Sequence, residues 1–206
     1  MYGDPQYLPL DESHPLRAIN PYGRTKIYIE EILADLAISD PDLKIMSLRY
    51  FNPIGAHDSG LIGESPKAVP NNLMPYILKV AKGELAKVSI YGDDYETLDG
   101  TGVRDYIHVM DLVEGHIAAL LFLNNHSGFH AINLGTGKGY SVKEIIDNFS
   151  SVTHTKVPYE IVGRRNGDVA ISYASVDHAK KLLSWQAKRD LKEMCLSTWK
   201  AMSSSK

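Results

Sequence analysis

The 206-residue sequence predicts an α/β fold with a parallel sheet. Three observations carry the prediction. Short apolar runs, bounded by Gly, Pro or Asn, alternate with amphipathic helical stretches along the chain. Helix-start signals open several of those stretches, as βα units require. The chain has no internal repeat, low-complexity tract or obvious linker.

Taken in order, residues 21–38 read as a helix. Ile29, Ile32, Leu33 and Leu36 recur at i, i+3, i+4 and i+7, with Glu31 and Asp35 opposite. The stripe 22, 26, 29, 33 extends this face and places Tyr22 and Lys26 on the inward side. KIMSLRYF (44–51) reads as a strand ended by the Asn52-Pro53 turn. Residues 54–70 read as a long glycine-containing loop. Pro75 suits a first helical position, so a helix is expected from there to about Lys82, stopped by Gly83. KVSIYG (87–92) is a short strand, and GTGVRDYIHV (100–109) is a glycine turn leading into another. Asp111, with Glu114 in the capping-box position, opens a helix striped by Val113, His116, Ile117, Leu120 and Leu121. AINLG (131–135) is a strand. Ser141 and Glu144 cap the next helix, which turns Val142, Ile145, Ile146 and Phe149 inward. YEIVG (159–163) is a short strand. Helices follow near 175–184 and 190–201, the second opening at Asp190 with Glu193. The SSSK tail reads as frayed.

Bulk properties exclude several classes. A net charge of -3 gives no footprint for nucleic acid. The single Cys195 forms no internal disulfide, which fits a reducing compartment. The opening MYGDPQYLPLDESHP has no signal-peptide core, and the longest apolar run, Ile117 to Leu123, is too short to span a bilayer. A cytosolic protein without membrane contact is expected. The eight His show no metal-ligand spacing, so no metal site is expected.

The chemistry-bearing residues are few. Tyr22 and Lys26 lie four apart, on one helical face. A chain of this composition gives about one Tyr-x-x-x-Lys match by chance. A free Tyr titrates near pH 10, about three units above neutrality, at ~1.4 kcal/mol per unit. A nearby ammonium and a cationic nicotinamide ring favour the phenolate. That phenolate would accept a sugar hydroxyl proton as hydride leaves for NAD. The structural alternative is a core Tyr with a snorkelling Lys. In RRNGD, paired Arg164 and Arg165 around a Gly bend suit a diphosphate, and Asp168 suits a ribose diol. Arg104 offers a second phosphate ligand. The alternative for each Arg is a surface ion pair. Asn71 and Asn72 offer donors at a helix N-terminus, for an anion or for capping alone. Tyr91 and Tyr106 suit contact with a base, or the core. LGTGKGYS (134–141) fails the phosphate-loop spacing, since Lys138 precedes Gly139, and reads as a tight turn ending at the Ser141 cap.

YGD, NPYGRTK, LRYFNPIGAH, PNNLMPY, DGTGVRDYIHVMDL, NLGTGKGYSV and RRNGD occur in this order. From residue 1 to about 200 the series resembles the UDP-glucose 4-epimerase family, extended members of the short-chain dehydrogenase/reductase superfamily. The resemblance implies the C-terminal part of a Rossmann-type doubly wound sheet plus a smaller α/β substrate lobe. Residues 1–52 and about 103–135 would be the remnant of the NAD-binding domain. About 53–102 and 136–206 would bind the UDP-sugar.

By resemblance, Tyr22 is the catalytic base and Lys26 its partner, which also holds the nicotinamide ribose. Tyr50 lines cofactor and sugar, with Phe51 and Asn52 on the substrate side. Asn71, Asn72 and Leu73 meet the UDP-sugar. Ser89, Ile90 and Tyr91 form the uracil-binding strand, with Tyr106 nearby. Arg104 meets the diphosphate, and Arg165 to Asp168 close over phosphate and ribose. Hydride passes from sugar C4 to NAD and back to the opposite face of a 4-keto sugar, interconverting UDP-glucose and UDP-galactose. Ser172 falls where the family limits room around the sugar C2 group. Its small size implies acceptance of UDP-N-acetylhexosamines as well. Full-length family members are commonly homodimers.

The family's Gly-rich dinucleotide loop, ribose-binding acid and first strands precede YGD, as does a catalytic Ser or Thr. On the order of a hundred residues are therefore absent by resemblance. The isolated chain is expected to be a poor enzyme, exposing sheet edges and apolar helix faces. The rival readings are another nucleotide-sugar epimerase or dehydratase, and a non-catalytic short product.

Overall fold

The computed structural model describes residues 1–64 and 70–204. The part of the expected loop at 65–69, and the last two residues of the tail, lie outside the described residues. The elements are α1 (Pro21–Ser39), β1 (Lys44–Tyr50), β2 (Asn52–Ile54), α2 (Leu73–Ala81), β3 (Val88–Tyr91), β4 (Val103–His108), α3 (Val109–Leu123), β5 (Gly128–Leu134), β6 (Gly139–Ser141), α4 (Val142–Thr153), β7 (Tyr159–Val162), β8 (Ile171–Ser172), α5 (Asp177–Leu183) and α6 (Leu191–Ser204).

The expected α/β class is observed. β1 pairs parallel with β5, β2 with β4, and β3 with β7, while β4 also takes β8 parallel and β6 antiparallel. Side chains alternate across β1. Met46 and Leu48 pack into a core of Ile107, Leu112, Ile132, Leu134, Ala179 and Trp185. Ser47 and Arg49 reach the other way, to Glu30 on α1. A second core joins α2, α4 and α6 around Ile77, Ile90, Tyr106, Phe149 and Met194.

Several local signals act as the residues dictate. Asn20 caps α1 by accepting from the Gly23 amide at 2.7 Å. Ser141 and Glu144 form a reciprocal capping box, and Asp190 with Glu193 does the same for α6. Others differ. α2 starts two residues before Pro75, with Asn72 as cap. α3 is capped by His108, whose Nδ1 accepts from the Met110 amide. Asp111 is instead buried in the first turn, where it accepts from the Arg189 guanidinium at 2.6 Å. β2, β6 and β8 have no counterpart among the expected elements, since two or three residues are too few to show a period, and β2 replaces the expected Asn52-Pro53 turn.

The largest departure concerns α1 and α3. α1 buries Gly23, Glu30 and Ala37, while Ile29, Ile32 and Leu36 are 46–58% exposed and Tyr22 is 73% exposed. The expectation that Tyr22 and Lys26 face inward is overturned. α3 likewise buries Leu112, Gly115 and Ala119 and exposes Val113, Ile117, Leu120 and Leu121. Small residues win the sheet-facing side because they let the helix approach: a Cβ on Gly115 would lie 3.0 Å from Leu134 Cδ1. The bulky stripes are then left outward, on helices that both pack on the β1–β5 pair.

His108 yields a stability prediction. It is 1% exposed, and since Nδ1 accepts, Nε2 donates to Ser197 Oγ at 2.9 Å. Burial, with help from the Arg189 charge, holds its pKa below the ordinary 6.5; Asp111, Asp58 and Glu193 oppose this. The unfolded chain therefore protonates first. Stability contributed by the neutral ring is full above pH ~6.5 and falls as pH drops below it. Urea midpoints measured from pH 7.5 to 5.5 are expected to decline, and less so in His108→Gln.

Candidate functional site

Two clefts meet where the carboxyl end of β1 runs into β2, beside the amino-terminal half of β4. The first, about 340 Å³, is lined by Asn52, Asn71, Asn72, Leu73, Ser89, Ile90, Tyr91, Arg104, Tyr106, Arg165 and Asp168. The second, about 590 Å³, is lined by Tyr22, Lys26, Tyr50, Phe51, Asn52, Arg104, Asp168 and Ser172. The candidate residues taken from the family resemblance thus line one cleft or the other, whereas Arg164, named from the RRNGD pair, lines neither. Asn52, Arg104 and Asp168 line both. Both volumes lie in the ordinary range for small-molecule sites.

Register explains much of this convergence. Asn52 on β2 stands opposite Tyr106 on β4, and Ser172 on β8 stands opposite Arg104. Arg104 and Tyr106 are two apart, so both face the first cleft, while Asp105 between them faces away. Burial pushes the Tyr106 phenol up to about 12, against the opposing Arg104 charge, so it stays a neutral hydroxyl.

Strand β3 offers backbone as well as side chains. Val88 N donates to Pro158 O and Gly92 N to Val162 O, each at 2.9 Å. Residues 88, 90 and 92 therefore turn their amide groups to β7, and Ser89 and Tyr91 turn theirs to the unpaired edge. That edge presents donors and acceptors together, as the rim of a pyrimidine base requires. Opposite it, the α2 N-terminus ends at Asn72, which makes no side-chain cap and contacts Glu64 at 3.4 Å. Its first amides are suited to an anion.

The RRNGD segment is split by the fold. Arg165 stacks 4.4 Å over the Tyr91 ring, and its Nε donates to Asp168 Oδ2 at 3.0 Å. Arg104 Nη2 lies 4.0 Å from Asp168 Oδ1. Arg164 turns away: its Nε donates to Asp94 Oδ1 at 2.7 Å, and its guanidinium stacks 4.1 Å over Tyr95. The expected side-by-side placement of Arg164 and Arg165 is overturned: Arg165 shares Asp168 with Arg104, and Arg164 is bound to Asp94. Adjacent side chains on extended backbone point to opposite sides.

In the second cleft, Lys26 Nζ lies 5.2 Å from the Tyr22 ring centroid. Both are exposed, so the snorkelling core pair is overturned as well as the inward stripe. The floor was not anticipated. Glu30 and Arg49 form a buried pair, with side chains 9% and 8% exposed, Nη2 donating to Oε2 at 2.6 Å and Nε to Oε1 at 2.8 Å. Ser47 Oγ donates to Glu30, and Arg49 Nη1 donates to Tyr2 and to the Glu12 carbonyl. An Arg inside the apolar run KIMSLRYF was the available signal.

The LGTG turn is bonded to Asp105. Asp105 accepts from the amides of Thr136, Gly137 and Ala174 at 2.9–3.1 Å and from Thr136 Oγ1. A side-chain carboxyl thus takes up the amides of this turn. Among the described residues no group of three or more His, Cys, Asp and Glu could hold a metal ion, and no helix is long and apolar enough to cross a membrane.

Comparison with known proteins gives a consistent result. A family model described as GDP-mannose 4,6 dehydratase matches residues 1–198. A UDP-glucose 4-epimerase of Dictyostelium discoideum is 54% identical over 201 residues, covering 97% of this chain and 58% of that protein. The human UDP-glucose 4-epimerase is 51% identical over 201 residues, with the same coverage. A Stenotrophomonas UDP-glucose 4-epimerase structure with bound NAD and formylated UDP-arabinopyranose superposes with TM-score 0.95 at 51% identity, covering 98% of this chain and 60% of that one. The Bifidobacterium longum enzyme with NAD+ and UDP gives 0.95 at 48%, covering 99% and 61%. The chain spans about 58% of the length of the curated relatives it matches.

Proposed function

This chain belongs to the GDP-mannose 4,6 dehydratase family of extended short-chain dehydrogenase/reductases, and from that premise we propose that it carries the nucleotide-sugar half of a UDP-glucose 4-epimerase site. The single observation that carries the reading is the continuity of the two clefts through Asn52, Arg104 and Asp168. A diphosphate anchored at that shared wall leaves a base in the first cleft and a sugar in the second. The first cleft takes UDP: the free β3 edge meets uracil, Arg104 and Arg165 meet the diphosphate, and Asp168 meets the ribose.

The residues of the second cleft fit the nicotinamide end of NAD, since a phenol and an ammonium stand exposed together at an open cleft edge. When bound, NAD supplies the hydride acceptor and donor for sugar C4. Tyr22 takes the proton from the sugar O4 hydroxyl and later returns it. Lys26 favours the phenolate form of Tyr22 and binds the ribose. Asn52 and Phe51 bound the sugar, and the arginines keep UDP in place while the 4-keto sugar turns over. The reading places the protein in cytosolic galactose metabolism.

We assign residues 1–52 and about 103–135 to the NAD half, and about 53–102 and 136–206 to the UDP-sugar half. The two separate cores support the division. Two places cross the division: Ala179 and Trp185 pack with the sheet core, and Tyr106 packs in the second core.

The test is calorimetry of UDP-glucose and NAD on the chain, with an epimerase assay on the same sample. UDP-glucose binding with little or no turnover is expected, because the sequence holds no Gly-rich dinucleotide loop after a strand. Failure to bind UDP-glucose would overturn the reading. Ser172 lines the second cleft, and its small side chain supports acceptance of UDP-N-acetylhexosamines. Ser172→Tyr is expected to weaken UDP-GlcNAc at least tenfold relative to UDP-glucose, through overpacking of roughly 1–3 kcal/mol. An unchanged ratio removes that specificity.

A further inference from the structure

We propose that Arg164 is a positioning residue that clamps the strap of residues 163–169 to the turn after β3, and so holds Arg165 over the first cleft. The proposal rests on the nucleotide-diphosphate reading of that cleft and goes beyond it, since Arg164 itself lines neither cleft.

The strap leaves β7 at Gly163 and rejoins regular structure at β8. Gly163 and Gly167 stand in open space, with nothing within 4 Å of a Cβ on either. Packing around its bends therefore gives little hold on the strap. Contacts across the cleft supply it. Arg165 and Asp168 reach inward, to Tyr91 and Arg104. These are the groups assigned to the ligand, so they are exchanged when it binds. Arg164 reaches instead to Asp94 and Tyr95, neither of which is assigned to the ligand.

The outward clamp has three parts. Arg164 Nε donates to Asp94 Oδ1 at 2.7 Å, Nη2 donates to the Asp94 carbonyl at 2.5 Å, and the guanidinium stacks on Tyr95. The fork fixes the plane of the group as well as its distance. The seat is close. A Cβ on Gly92, where φ is +89°, would fall 2.7 Å from Arg164 Cγ and 2.9 Å from the Tyr95 ring. Gly92 follows directly on Tyr91, the residue under Arg165. One turn thus seats both arginines, one on each side of the strap.

As a stability element the exposed Arg164–Asp94 pair is worth little, with side chains 47% and 71% exposed. Its effect is on where Arg165 stands. A double-mutant cycle with UDP binding to the chain by calorimetry separates the two. Arg164→Ala is expected to weaken UDP about tenfold, and Asp94→Asn to reproduce part of that loss. In an Arg165→Ala background, Arg164→Ala is expected to cost less than about twofold, because the residue it positions is gone. Arg164→Lys, which keeps the charge without the fork, is expected to recover little. Lys87→Ala breaks another exposed pair, with Glu160, and is expected to leave affinity and melting temperature unchanged. An Arg164→Ala chain that binds UDP normally overturns the proposal, as does an equal tenfold loss with and without Arg165. If the unsubstituted chain does not bind UDP, the reading of the cleft falls and takes the proposal with it.

Discussion

Glu30→Ala is expected to destabilise the chain by about 3–5 kcal/mol, the range for removing one partner of a buried ion pair. Glu30 and Arg49 have side chains 9% and 8% exposed, so solvent does not screen them. Burial alone would raise the Glu30 pKa, but hydrogen bonds from Arg49 and Ser47 more than offset it, and the carboxyl is held below its usual range. Its stabilising contribution is therefore present above the unfolded value near 4.5 and is lost as pH falls through the lower folded value. Without Glu30, Arg49 keeps only the Tyr2 hydroxyl and the Glu12 carbonyl as acceptors. The strand β1 and helix α1 then share an uncompensated charge. Urea unfolding of wild type, Glu30→Ala, Arg49→Ala and Glu30→Met/Arg49→Met measures this. Each alanine variant is expected to lose the stated amount, and the apolar double variant to recover most of it. Losses under 1 kcal/mol would mean that the pair behaves as a surface pair.

Arg104→Ala is expected to lower UDP affinity about 10- to 100-fold. Charge-assisted hydrogen bonds contribute roughly 1.5–3 kcal/mol, and each 1.4 kcal/mol is tenfold. Arg104 is the basic residue at the wall common to both clefts, 23% exposed and already oriented by its bonds to the Val103 and Ala170 carbonyls at 2.8 and 3.5 Å. Little rotamer freedom is left to lose on binding. Arg104→Lys is expected to restore part of the affinity, with a steeper salt dependence, since it keeps charge without the fork. Titration of UDP and of uridine separates the contributions: the variant is expected to weaken UDP while leaving uridine nearly unchanged. Equal loss for both would place Arg104 on the nucleoside instead.

Much of this architecture was legible beforehand. Alternating strands and helices gave the class, and cap residues such as Ser141 with Glu144 gave boundaries to within a residue or two. The candidate site was legible because its residues sit at strand ends and helix starts, where the same glycines and prolines that punctuate the chain also mark the clefts. What misled was the helical stripe. In α1 and α3 the period was real, but period does not say which face meets the sheet. Gly23, Ala37, Gly115 and Ala119 decided that through close approach. Two further features depend on contacts far apart in sequence and leave almost no local signal. One is the Glu30–Arg49 floor; the other is the division of labour between Arg164 and Arg165, which needs the position of the 92–95 turn.

The wall shared by the two clefts has a consequence for how ligands would report on one another. Asn52, Arg104 and Asp168 cannot be rearranged for one compartment without altering the other. On the proposed reading, the nucleotide-sugar and the nicotinamide cofactor are expected to be coupled through that wall, and by thermodynamic reciprocity each then changes the other's affinity by the same factor. A titration of either compound repeated at saturating amounts of its neighbour reads that factor directly, as a shift in midpoint rather than in amplitude.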